Sequence, residues 1–148
     1  DKSVGIVSTT SVLQSFSALF AFDEAATLED NIEAMNEAIS YVHDGEVTAA
    51  IKDSSCHDGS PIKTGDIMAI EDGEIEFVGD NIVDVSSDLI VKMVKEFDGT
   101  LLTLLAGADL SDEDFQLIQE KIEQEVDDIE IDPHRGEQPL YPLIFALE

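Results

Sequence analysis

Leu101-Leu102-Thr103-Leu104-Leu105 is a nearly continuous apolar run broken only by one threonine. Such a run reads as a strand buried on both faces and flanked by crossover helices, which makes it the candidate central strand of a sheet. Helical patterns stand on either side of it. Upstream, Leu89, Met93 and Phe97 share one line of a helix spanning about Ile82–Phe97, and Asp98-Gly99 ends that helix. Downstream, Ser111-Asp112-Glu113-Asp114 opens a helix that carries Phe115, Ile118, Ile122 and Val126 inward. Ile129 and Ile131 then alternate as a further strand, and Leu143–Leu147 is the last apolar segment.

Ile67–Glu71, Asp72-Gly73 and Glu74–Val78 form the sharpest local pattern in the chain, because Asp-Gly suits the two-residue type I′ turn of a hairpin. Val47, Ala49 and Ile51 alternate as a strand with one face covered, and a loop follows from about Asp53 to Thr64. Ahead of that strand, Thr27-Leu28-Glu29-Asp30 is a variant capping box, and Leu28, Ile32, Met35, Ile39 and Val42 keep helical spacing toward a stop at Gly45. Val4-Gly5-Ile6-Val7 reads as a first strand, with the hydroxyls of Ser8-Thr9-Thr10-Ser11 placed to cap the next helix. In that helix Val12, Leu13, Phe16, Leu19 and Phe20 make a wide stripe facing a core, and the end falls near Phe22. This order predicts an α/β fold, with α+β left open: a layered mixed sheet, helices packed on it and one β-hairpin.

The chain has 148 residues, 43% of them hydrophobic, which suits one folded core rather than a disordered segment. Seven Lys plus Arg face 34 Asp plus Glu, a net charge of −27 that repels phosphate backbones and anionic headgroups and steers basic protein surfaces inward. No nucleic-acid partner is expected. Cys56 is the single cysteine and no apolar run is long enough to span a bilayer, so the expectations are a reducing, cytoplasmic setting and no membrane insertion. The chain begins at Asp1 rather than Met, and an apolar run follows at once. Residues 1–148 are therefore expected to be a single domain or subdomain cut from a longer multidomain protein.

Two places are chemically unusual. Ser8-Thr9-Thr10-Ser11 is a carboxylate-free turn that either caps a helix or accepts a carboxylate, a phosphate or a partner backbone. His134-Arg135-Gly136-Glu137-Gln138-Pro139-Leu140-Tyr141-Pro142 sets the only arginine beside His134 and holds Tyr141 between two prolines, as a rigid contact loop or as a plain turn into the last strand. The candidate binding residues are accordingly Ser8, Thr9, Thr10, Ser11, His134, Arg135, Gln138 and Tyr141. No catalytic or metal-ligating residue is assigned. Asp53, Asp58, Asp66 and Asp72 lack the spacing of an EF-hand and read as solvated turns. Cys56-His57 has no second cysteine to complete a zinc site, and neither GxGxxG nor GxxxxGK[ST] occurs. The helix starts at Thr27 and Ser111 carry carboxylates in the first turn, which repel an anion.

Several segments taken together resemble one family. Ser8-Thr9-Thr10-Ser11 leading into an Ala- and Phe-rich helix, Phe22–Asn31, Glu33-Ala34-Met35, Gly45-Glu46-Val47-Thr48, Ile62-Lys63-Thr64-Gly65-Asp66 and Gly136–Pro142 are similar to the bacterial fatty acid kinase ATP-binding subunit. The resemblance implies a longer protein with three regions: an amino-terminal domain like the nucleotide-binding part of dihydroxyacetone kinase, a middle domain, and a carboxy-terminal DegV-like region. This chain would be the last part of the third. It further implies that the full-length protein uses ATP and Mg, held elsewhere in the chain, to phosphorylate a fatty acid presented by a separate DegV-type binding protein for phospholipid synthesis. On that reading this C-terminal piece has no cofactor and no chemistry of its own, and docks the presenter alongside the upstream domains. The alternatives are a domain that itself binds a fatty acid or other small lipid, and an independent enzyme; a homodimer is left open. The sequence departs from the family twice. Ser8-Thr9-Thr10-Ser11 replaces Pro-Thr-Lys-Ser, losing a lysine, and Glu137 stands where a second glycine is usual.

Overall fold

The computed structural model describes residues 2–148; Asp1, on which the expectation of an excised start rests, lies outside them. In chain order the elements are α1 (Val12–Phe20), α2 (Leu28–Ser40), β1 (His43–Ala49), β2 (Ser54–Ser55), β3 (Pro61–Ile62), β4 (Ile67–Glu71), β5 (Glu74–Gly79), α3 (Ile82–Phe97), β6 (Leu101–Ala106), α4 (Asp112–Glu125), β7 (Glu130–Arg135) and β8 (Leu143–Leu147). Six strands form one sheet in the order β5-β4-β1-β8-β6-β7, while β2 and β3 pair separately. Only β6 and β7 run parallel, joined through α4; the other pairs of the large sheet are antiparallel. The expected mixed α/β sheet with helices and a hairpin is what forms.

Local chemistry explains the best-defined elements. At the β4–β5 turn Asp72 has φ 49° and Gly73 φ 84°, the two positive values that a type I′ turn demands. Asn81 caps α3 by accepting from the N–H groups of Val83 and Asp84, and Asp98 closes the helix in the left-handed region at φ 55°. The inner face of α3, with Val85, Leu89, Ile90 and Met93, packs together with Phe115, Ile118 and Ile122 of α4 onto Val47, Leu102, Leu104, Phe145 and Leu147. Each of these fully buried aliphatic side chains contributes about 2 kcal/mol.

Four expectations change. The leucine run is β6, but it lies one strand in from an edge and only one face is closed: Leu102, Leu104 and Ala106 are fully buried under α3 and α4, whereas Leu101, Thr103 and Leu105 are half-buried on the outer face. The reason is that α1, nine residues long, lies over β8 and leaves β6 and β7 bare on that side. For the same reason the α1 stripe does not face a core. Leu13 and Ala18 are buried, but Val12, Phe16, Leu19 and Phe20 point to solvent. Val4–Val7 joins no strand. Finally, α2 stops at Ser40, where the N–H groups of Tyr41 and Val42 bond back to the Ala38 and Ile39 carbonyls; Gly45 sits instead inside β1. That glycine makes room for Phe145, whose ring occupies the space of a Cβ. β1 thus begins at His43 and ends at Ala49, leaving Ile51 exposed.

Candidate functional site: two clefts beside α1

Above β8, Leu13 of α1 packs with Val42, Ile144 and Ala146, and a cleft opens on each side of the helix. The cleft toward β1 and β4, of about 630 Å3, is lined by Thr10, Ser11, Asp44, Glu46, Asp72, Tyr141 and Ile144 among others. It brings together Thr10 and Ser11 of the first candidate stretch and Tyr141 of the second. The cleft toward β6 and β7, of about 510 Å3, lies between Leu13, Phe16 and Phe20 of α1 and Leu101, Thr103 and Leu105 of the sheet, with Asp132, His134 and Glu148 also in its lining.

In the first cleft the hydroxyls are already engaged. Ser11 Oγ accepts from the Gln14 N–H at 3.1 Å as the N-cap of α1, and Thr9 Oγ1 bonds Ser15 Oγ at 2.9 Å. Thr10 donates to Gln14 Oε1 through its N–H at 2.9 Å and its hydroxyl at 3.0 Å, while Gln14 Nε2 donates to Asp44 Oδ1 at 2.9 Å. Ser8 is exposed and does not line the cleft. The geometry is that of capping, and Asp44, Glu46 and Asp72 give the cleft a negative field that suits a basic group. Burial, and after it the charge of Asp72, pushes the Asp44 carboxyl up; burial and the charge of Asp44 do the same for Glu46. A carboxylate raised in the folded state binds protons more readily there than in the unfolded chain. Both groups therefore withdraw stability as pH rises from the ordinary carboxylate range through their raised values, and the loss is complete at neutral pH. Asp44→Asn, which keeps an acceptor for Gln14, is expected to melt a degree or two higher than the parent near pH 7, with the gap closing by about pH 4, in thermal scans across that range.

The second candidate stretch divides between layers. His134 and Arg135 belong to β7, and strand alternation sends them to opposite faces rather than side by side. His134 lines the apolar cleft, with Nε2 2.8 Å from Asp132 Oδ2. Arg135 turns to the inner layer, donating to the carbonyls of Leu110 at 2.6 Å and Gly107 at 3.2 Å, pairing with Asp112, and lying over the Phe115 ring at 5.4 Å. It clamps the loop between β6 and α4. Gln138 Nε2 donates to the carbonyls of Leu105 at 2.8 Å and Tyr141 at 3.2 Å, and Thr48 Oγ1 donates to the Leu140 carbonyl at 2.7 Å. Glu137 has φ 54°, which accounts for the glycine that the resembled family carries there. Leu140, at φ 72°, is strained and exposed beside Tyr141.

Gly107 holds this loop in place from below: a Cβ there would collide with the backbone carbonyls of Tyr141 and Gln138, which cannot swing aside as a side chain would. Gly107→Ala is expected to cost about 2 kcal/mol and to raise the proteolytic susceptibility of residues 136–142, measured by urea unfolding and limited proteolysis.

Sequence reasoning missed Asp44, Glu46 and Leu140, and took the outward aromatics of α1 for core. Asp53, Asp58 and Asp66 each accept a backbone N–H of their own turn, from Thr64, Ser60 and Lys63. These bonds hold the Asp53 and Asp58 carboxyls below the usual range. Among the described residues no group of three or more His, Cys, Asp or Glu is arranged to hold a metal ion, and no helix is long and apolar enough to cross a membrane.

A family model for FakA-like proteins, described as the C-terminal part of the A-type component of fatty acid kinase, matches residues 1–148. Protein YloV of Bacillus subtilis is 34% identical over 148 residues, covering 100% of this chain and 26% of that protein. An uncharacterized protein of Staphylococcus haemolyticus is 34% identical over 143 residues, covering 97% and 26%, and one of Staphylococcus aureus 33% over 149 residues, covering 100% and 27%. The chain thus spans about a quarter of the length of these relatives. Among solved structures, a DegV family protein from Corynebacterium glutamicum superposes with a TM-score of 0.55 at 10% identity, over 91% of this chain and 57% of that one. That likeness is one of fold.

Proposed function

Because the chain belongs to the FakA-like C-terminal family of fatty acid kinases, we propose that it is the non-catalytic docking domain of such a kinase. It receives the DegV-type fatty-acid-binding partner so that a fatty acyl carboxylate can be phosphorylated by an ATP- and Mg-holding domain elsewhere in the full protein. The observation that supports this reading is the bare outer face beside α1. Phe16, Leu19 and Phe20 are 47%, 64% and 91% exposed next to an apolar cleft, an arrangement that marks contact surfaces rather than solvated ones. Carboxylates surround it, Asp132 and Glu148 on one side of the helix and Asp44, Glu46 and Asp72 on the other. The complementary surface is apolar at its centre and basic at its rim, and its approach is steered by charge. Calorimetric titration of the full-length kinase protein with its fatty-acid-binding protein is expected to give saturable binding that weakens as salt rises from about 50 to 500 mM. An absence of binding at low salt would sink the proposal.

A second reading has one observation in its favour: the cleft under Phe16 and Phe20 is apolar enough for an acyl chain. The charges oppose it. No lysine or arginine lines that cleft, and its one basic group, His134, is already against Asp132, so an acyl carboxylate would meet two carboxylates and no free cation. Mass spectrometry of gently purified protein separates the readings, since a co-purifying acyl chain would favour the lipid site.

A further inference from the structure

Val4-Gly5-Ile6-Val7 has the apolar composition of a strand buried on both faces, and half of that environment is present. Gly5 is pressed against α2: a Cβ there would run into Ile32 and come within 3.2 Å of Leu28 Cδ1. Val7, on the same side, is half-buried. Val4 and Ile6 point the other way and are 83% and 81% exposed. Among the described residues no backbone N–H or C=O of Val4–Val7 has a hydrogen-bond partner, so both edges of the segment are open as well.

We propose that Val4–Val7 is a strand of a second sheet, whose neighbouring strands and outer layer come from the part of the same polypeptide that precedes this domain in the full-length relatives. Three observations select that occupant over another molecule. The match is to a C-terminal domain that makes up only about a quarter of the relatives, so a large preceding portion exists there to be placed. In the DegV family protein the matched fold is 57% of the chain, so the rest of that architecture has no counterpart here. Val4 is also covalently continuous with whatever precedes it, which gives an intramolecular strand an effective concentration in the millimolar range, far above that of a second copy in dilute solution. α2 then serves both sheets, covering the Gly5 and Val7 side of one while α1, packed beside it, covers part of the other.

Hydrogen-exchange mass spectrometry on the full-length protein tests this. The amides of Gly5, Ile6 and Val7 are expected to exchange at least about a hundredfold more slowly than in an unstructured chain, with protection unchanged on dilution. Ile6→Asp in the full-length protein is expected to abolish that protection and admit protease just ahead of Val4, while β8 amides remain protected. Exchange at the free-chain rate in the parent would overturn the proposal. Protection that disappears on dilution would overturn it too, by identifying a second copy as the partner.

Discussion

Phe20→Asp is expected to weaken binding of the fatty-acid-binding partner at least about 30-fold, the effect of removing one interfacial hot spot worth about 2 kcal/mol. The side chain is 91% exposed at the last position of α1, so the folded domain loses almost no contact and the melting temperature should stay within a degree of the parent. An acidic replacement strands a charge against the apolar centre of the partner's surface, where desolvation without a counter-charge is costly. The variant also makes an already acidic chain more acidic, which by itself alters long-range steering. Leu117→Asp controls for that: it adds the same charge on α4, in the opposite layer of the molecule, at a leucine 43% exposed. Titration of both variants should show a large loss for Phe20→Asp and less than a twofold change for Leu117→Asp. Equal losses would mean that net charge, not the α1 face, governs association.

The features legible in the sequence are those whose causes are local. Asp72-Gly73 dictates its turn, and Asn81 with Asp98 brackets α3 at the residues expected, because capping and left-handed closure depend on neighbours a few positions away. Periodicity behaves differently. It reports which residues share a face without saying what covers that face, so Phe16, Leu19 and Phe20 carry the spacing of a core stripe although nothing in this chain meets them. Leu101 and Leu105 make the same point on a strand. Val4–Val7 extends it to a segment whose composition announces a strand that has no partner among the described residues. The candidate site was half legible. Thr10 and Tyr141 were both singled out, but their meeting in one cleft depends on β8 pairing with β1, a long-range choice that no local signal encodes. His134 and Arg135 were separable in principle, since two consecutive strand residues face opposite ways; reading the stretch as a loop hid it.

Removing Lys92 tests the inner layer as sharply as Phe20 tests the outer one. Glu71, at the end of β4, is 8% exposed, and Lys92 of α3 reaches its Oε2 at 2.6 Å. A bulge in the β4–β5 pairing leaves Glu76 without an opposite residue, and its carboxylate lies 3.0 Å from the same ammonium, with Glu96 at 3.6 Å. The hydrogen bond to Glu71, followed by that to Glu76, holds the lysine pKa above its ordinary value despite partial burial. A raised lysine contributes its stabilisation in full below the ordinary lysine range and loses it only as pH climbs through the raised value, so the contribution is undiminished at neutral pH. Lys92→Met leaves two carboxylates facing each other with no cation and is expected to cost about 3 kcal/mol, the low end for breaking a buried pair because Lys92 keeps a third of its surface in water. Glu71→Leu should cost less, since Glu76 and Glu96 still serve the lysine. The double variant should be more stable than Lys92→Met alone, because it replaces the buried pair by apolar contact and leaves no charge stranded. Urea unfolding of the four proteins at neutral pH measures the cycle, and repeating it as pH falls into the carboxylate range should shrink the Lys92→Met deficit as the stranded charge is neutralised. A double variant no more stable than Lys92→Met would show that the lysine acts through packing of its methylene stem on α3 rather than through Glu71.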